Sequence, residues 1–253
     1  MKRQIQIALI FIVLGGLLTT AAFFMAFYTA EVRTFGTVTA EGRVDTAFRI
    51  APPNEQGNEG LTYERPWFAQ KIYYFHAPVA WSSFVIFTIA AFFGAMFLVK
   101  KEKKYDTHSR LAAETALVFT TATMITGVLW TRASWGVWWD WEPRITTYFI
   151  LLILMVAYFV LRNSIADDER RATYAAVFAI IAWIDVPISW MITRLIPSNH
   201  PVVLKSGMDI TNLIPFLIAM LGMMGVGYAI YTLRAAEEDS AERLDILKEK
   251  LEA

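Results

Sequence analysis

Six stretches of mainly apolar residues constrain this chain more than any other feature: 5–29, 72–99, 111–130, 147–161, 173–195 and 213–233. About 20 such residues are needed for a helix to cross the hydrocarbon of a bilayer. The fourth stretch is short when counted from Thr147. It reaches an adequate length if the helix begins near Pro143, because proline suits a first helical turn. The expected fold is an all-α integral membrane protein, a bundle of six transmembrane helices. The composition agrees, since 56% of the residues are hydrophobic and mean hydropathy is positive, an excess typical of membrane chains. Basic and acidic side chains balance at 23 each, which gives no argument for a nucleic-acid partner.

Orientation follows from lysine and arginine in the short connections. Segment 100–110 carries Lys100, Lys101, Lys103, Lys104 and Arg110, and segment 162–171 carries Arg162, Arg170 and Arg171. Both are expected on the cytoplasmic side with Lys2 and Arg3, and an even helix count then puts both termini there. The first stretch is longer than a signal-peptide core and lacks a convincing cleavage site, so it reads as a retained anchor. Segment 31–71 is long, mixed in charge and rich in Gly, Pro and Asn, which suits an outer loop. The expected organisation is a transmembrane domain over 1–233 and a charged cytoplasmic tail over 234–253. Leu244, Leu247 and Leu251 give that tail a solvated amphipathic helix pattern.

With this topology, segment 131–146 faces outward. It holds Trp135, Trp138, Trp139 and Trp141, four tryptophans within seven residues. Tryptophan is enriched at membrane interfaces, but a belt scatters single residues over several helix ends. If the segment is helical, Trp135, Trp138, Trp139 and Glu142 share one face. A broad indole wall suits a flat, π-rich ligand, and Arg132 and Arg144 suit its carboxylates. A porphyrin with propionates meets both demands.

Cysteine is absent, which excludes disulfides, thiolate metal sites and cysteine nucleophiles. Only three histidines occur. His108 lies in the basic inner segment and reads as a solvated loop residue. His76, at the outer end of the second helix, and His200, between the fifth and sixth, flank the tryptophan segment at one membrane level. Two neutral imidazoles can fill both axial positions of haem iron. A zinc site would want three or four protein ligands. Asp185, in mid-helix before Pro187, is a functional candidate by its depth alone. It reads either as a polar contact to a neighbouring helix or as a group beneath the haem pocket, and Pro187 is expected to loosen that helix.

The run Trp135-Gly136-Val137-Trp138-Trp139-Asp140-Trp141-Glu142-Pro143-Arg144-Ile145-Thr146 resembles the signature of the tryptophan-rich haem-handling membrane proteins. Chain size and the histidine on either side of the signature resemble the cytochrome c maturation protein C, or haem exporter C, family most closely. The resemblance covers nearly the whole chain. It implies a bacterial inner-membrane protein that is not an enzyme, holds haem b as transient cargo and delivers it to a periplasmic haem chaperone. An ATP-driven transporter of the same maturation system would work beside it. It also implies His76 and His200 as axial ligands and Trp135, Trp138, Trp139 and Trp141 as the platform. The sequence departs from the family pattern in two places: Glu142 stands where an aspartate is usual, and Asp140 where an uncharged residue is common.

Three other functions fit parts of this pattern. A permanent bis-histidine redox protein would clamp its haem within a helix bundle, whereas here one ligand is in a Pro-flanked loop. Cytochrome c synthases carry a similar segment but are larger, with a second histidine pair. A purely structural transporter subunit leaves the two outward histidines without a purpose.

Overall fold

The computed structural model describes residues 2–28, 71–198, 200 and 210–252, without the side chains of Ser134 and Trp135. Seven helices occur among them: α1 (Lys2–Tyr28), α2 (Tyr73–Lys100), α3 (Lys103–Trp135), α4 (Pro143–Ser164), α5 (Asp168–Trp183), α6 (Asp185–Leu195) and α7 (Ile210–Glu252). Six spans are long and apolar enough to cross a membrane, with α5 and α6 forming one of them. The protein is an all-α, multi-pass membrane protein, as the apolar runs predict. The chain alternates direction, so one end of the bundle gathers Tyr28, Tyr73, Trp135, Pro143, Leu195 and Ile210. The other gathers Lys2, Lys100, Lys103, Ser164 and Asp168. We call them the tryptophan end and the charged end.

Helix α2 lies at the centre, against α3, α5 and α7, while α1 packs mainly on α7. The α1–α7 crossing depends on small residues: a Cβ on Gly15 would meet the Gly222 carbonyl at 2.7 Å. Close backbone approach of this kind is how helices associate in lipid, where no hydrophobic drive separates helix from solvent. The main core joins Phe87, Phe119, Leu151, Met155 and Tyr158 to buried alanines of α2, α3 and α5. Polar side chains bridge helices within it. The Tyr148 and Ser83 hydroxyls bond α4 to α2, and Tyr74 donates to Asn212 Oδ1 at 2.7 Å, tying α2 to α7.

Several boundaries differ from those read off the apolar runs. Helix α3 starts at Lys103 rather than near residue 111, so the basic connection shrinks to Lys101 and Glu102. Its polar first turns are held by ion pairs, which hydropathy does not register: Lys103 meets Glu242, and Arg110 bonds Glu114 and Glu238. His108 is therefore not a solvated loop residue. It is half-buried in α3, with Nδ1 2.7 Å from the Tyr231 hydroxyl. Helix α4 does begin at Pro143. The fifth span breaks at Ile184, between α5 and α6. Pro187 has no N–H to give the Trp183 carbonyl four residues earlier, which is where α5 ends. Asp185 follows the break and is buried, and its Oδ2 bonds nothing among the described residues. The polar contact expected of it is thus missing at that oxygen. Helix α7 runs through 233–234 without interruption. The expected outer loop, 31–71, lies outside the described residues except for Lys71, whose ammonium donates to the Ala26 carbonyl.

Candidate haem site at the tryptophan end

The tryptophan segment is not one helix, so the single indole face expected of a helical 131–146 does not form. Helix α3 ends at Trp135, and Gly136 takes a left-handed conformation (φ 78°) with its N–H on the Arg132 carbonyl at 3.2 Å. Glycine pays no steric penalty there, and this is the usual way for a helix to stop. Residues 136–142 are non-helical until α4 begins. The indoles consequently point into different surroundings. Trp138 is exposed, with the Arg132 guanidinium 5.6 Å from its ring, and Arg132 also donates to the Gly136 carbonyl. Trp139 is half-buried and makes edge contacts with Trp141 at 5.4 Å and Phe149 at 5.2 Å. Its indole N–H is buried and has no hydrogen-bond partner among the described residues. Trp141 is 72% exposed.

One indole that the sequence reading passed over joins the two histidines. Trp130, on the last turns of α3, is buried and stands edge-on to His76 at 5.4 Å and to His200 at 6.1 Å. The two imidazole centroids are therefore separated by no more than these two distances laid end to end. Thr126, four residues before Trp130 on the same helix face, is a hydrogen-bond partner of His76. With its hydroxyl donated to the Ala122 carbonyl (2.8 Å), its oxygen can accept from His76 Nδ1, 2.9 Å away. A neutral imidazole protonated at Nδ1 keeps its lone pair on Nε2, the form that ligates a metal. Gly127 gives this ring its room, since a Cβ there would lie 3.1 Å from His76 Cε1.

His200 is held through its backbone. Its N–H donates to Ser198 Oγ at 3.0 Å, and Ser198 donates in turn to Glu142 Oε1. Glu142 is the N-cap of α4, with Oε2 accepting from the N–H groups of Arg144 at 2.9 Å and Ile145 at 3.1 Å. Both carboxylate oxygens are thus in use, and the buried Glu142 forms no ion pair among the described residues.

Arg132, Arg144 and Arg194 form no ion pair among the described residues. Arg194 stacks on Trp190 at 4.0 Å and donates to the Trp190 carbonyl at 3.2 Å. Thr147 donates to Ser189 at 3.2 Å, fixing α4 antiparallel to α6 and bringing Arg144 and Arg194 to the same outer level. Arg144 lies close enough to feel the charges of Glu142 and Arg194, and its own charge reaches the His76 ring. The two neighbouring guanidiniums of Arg144 and Arg194 are donors suited to carboxylates.

Six spans with paired imidazoles meeting at one indole define a polytopic membrane protein with an aromatic, histidine-bearing end. The profile of the heme exporter protein C family matches residues 67–249, and the chain belongs to that family. It is 30% identical over 153 residues to a heme exporter protein C of Bradyrhizobium diazoefficiens, covering 58% of each chain. It is 31% identical over 144 residues to that of Escherichia coli K12, covering 56% of this chain and 54% of the relative. To that of Rhodobacter capsulatus it is 23% identical over 188 residues, covering 71% and 77%. The chain thus spans little more than half the length of the first two.

Proposed function

We propose that the tryptophan end faces the outside of the bacterial cytoplasmic membrane and binds haem b as transient cargo through His76 and His200. The observation that carries this reading is the meeting of both imidazoles at Trp130, beside a segment whose arginines form no ion pair among the described residues. Haem supplies an iron for the two nitrogens and two propionates for the donors. Thr126 orients His76, with Nε2 toward the ligand. Arg144 and Arg194 receive propionates in charge-assisted bonds, and Arg132 is a third candidate from its exposed position against Trp138. Trp138, Trp139 and Trp141 offer indole surface at the rim, and the resemblance adds Trp135, whose side chain lies outside the described residues.

The protein then performs no covalent chemistry. It holds its cargo and passes it to a periplasmic haem chaperone, next to the ATP-driven transporter of cytochrome c maturation. The position of His200 supports release. It follows α6 by only a few residues and is not embedded in a helix, so one axial ligand can leave without dismantling the bundle. A permanently clamped redox haem would have both ligands inside the core. Heme exporter protein C is also the name that the relatives carry.

Purified full-length protein in detergent tests the reading. It should show a Soret band, and mixing with a haem-free chaperone should move haem between them. Both termini should be cytoplasmic. Membrane-impermeant labelling of a cysteine introduced at the exposed Lys103 should therefore fail in intact cells, and strong external labelling there would overturn the orientation.

A further inference from the structure

We propose that Glu142 is a positioning residue that latches His200 to the first turn of α4 and so governs how firmly the second imidazole is presented. The proposal rests on the reading of His200 as a haem ligand.

An N-cap needs a short acceptor, and aspartate, asparagine, serine and threonine fill that role best because their side-chain oxygen sits over the first-turn N–H groups. Glutamate is one methylene longer. In this chain the extra reach lets one carboxylate do two things. Oε2 takes the Arg144 and Ile145 N–H groups, as a shorter cap would. Oε1 is left to accept from the Ser198 hydroxyl, 56 residues away in sequence. Ser198 Oγ then accepts from the His200 N–H, closing a local turn in which side chain and backbone bond two residues apart. The three donors also explain how a carboxylate only 4% exposed is tolerated.

The connection is short. Helix α6 ends at Leu195, and Ile196 leaves it in an extended conformation. Ser198 is two residues from His200, so fixing its hydroxyl fixes where the imidazole can be. The other face of the arrangement is Trp130, against which the His200 ring rests. Glu142 thereby ties the second ligand to the segment that contains Trp139 and Trp141, and a disturbance of that segment is transmitted to His200 through two hydrogen bonds.

Two substitutions break the latch at different atoms. Ser198→Ala removes the bridging hydroxyl and keeps the α4 cap. Glu142→Asp keeps the cap, with the preferred shorter acceptor, and withdraws the oxygen that reaches Ser198. Glu142→Ala removes both. In haem-free, full-length protein in detergent, hydrogen–deuterium exchange should speed up at the Ser198 and His200 amides in the first two variants. The first turn of α4 should stay protected, and only Glu142→Ala should loosen both. Unchanged exchange at these amides in Ser198→Ala and Glu142→Asp would overturn the latch. After haem loading, both variants should lose low-spin, bis-imidazole absorbance, with His200 coordination about tenfold weaker, because a bond to a charged acceptor is lost. Added imidazole should restore the low-spin spectrum. A variant with faster exchange but a wild-type spectrum would show that His200 is positioned by something else, which also overturns the proposal. If His200→Ala itself leaves the spectrum unchanged, the ligand assignment fails, and the exchange data still decide whether the latch exists.

Discussion

At the charged end of the bundle, Arg162 grips both oxygens of Asp106 at 2.6 and 2.9 Å, Arg110 meets Glu114 and Glu238, and Arg234 meets Glu114. At the tryptophan end, Arg132, Arg144 and Arg194 meet no carboxylate among the described residues, and the buried carboxylate nearest to them, Glu142, is taken up by N–H and O–H donors. The pairs of the charged end join α3, α4 and α7. Among the described residues of the other end, three guanidiniums form no ion pair and the Trp139 N–H has no acceptor. In a folded chain, completed pairs mark architecture, while guanidiniums without carboxylates beside aromatic rings and imidazoles mark a candidate place for a ligand.

The sharpest way to break this comparison is to remove one arginine from each end. Arg162→Ala strands a largely buried Asp106 carboxylate and should lower stability by about 3–5 kcal/mol, read as an earlier thermal unfolding in detergent. Haem bound per folded molecule should not change. The pair Arg144→Ala and Arg194→Ala should behave oppositely. Stability should stay within about 1 kcal/mol of the parent, since no ion pair is lost and a like-charge repulsion is relieved. Haem affinity should fall by roughly 10- to 100-fold, from bonds to charged acceptors worth about 1.5–3 kcal/mol in total. A stability loss like that of Arg162→Ala would make both ends structural. Replacing Trp138 and Trp139 together by alanine should have the smallest effect, about tenfold on haem retention, because aromatic contacts contribute on the order of 1 kcal/mol each. Full haem content and normal transfer in that variant would reduce the segment to an interfacial belt.

The long apolar runs made the membrane class and the six spans legible without a structure, because the bilayer imposes one length and one polarity on every crossing. Polar helix beginnings were not legible. The first turns of α3 are stabilised by partners on α7, so neither the helical state of 103–110 nor the bond between His108 and Tyr231 leaves a local trace. Proline was informative twice, starting α4 at Pro143 and stopping α5 four residues before Pro187. The density of tryptophan at 135–141 marks the end of the molecule that also holds both histidines, but not the indole that lies against both of them. Trp130 looks like one more residue of an apolar run, and only the spacing to Thr126 hints that it shares a face with a polar group. Glu142 and Ser198 bond across 56 residues, and Arg194 reaches the site only because α6 lies antiparallel to α4, so a linear motif could not place either.

Ligation by the two imidazoles that meet at Trp130 is the centre of the account, and absorbance of haem-loaded, full-length protein tests it most directly. The parent should give a low-spin, bis-imidazole spectrum. His76→Ala and His200→Ala should each convert it toward a weaker, five-coordinate or mixed species, and the double variant should retain almost no haem. An unchanged bis-imidazole spectrum in either single variant would contradict the assignment of that histidine and, with it, the haem-binding role of the tryptophan end.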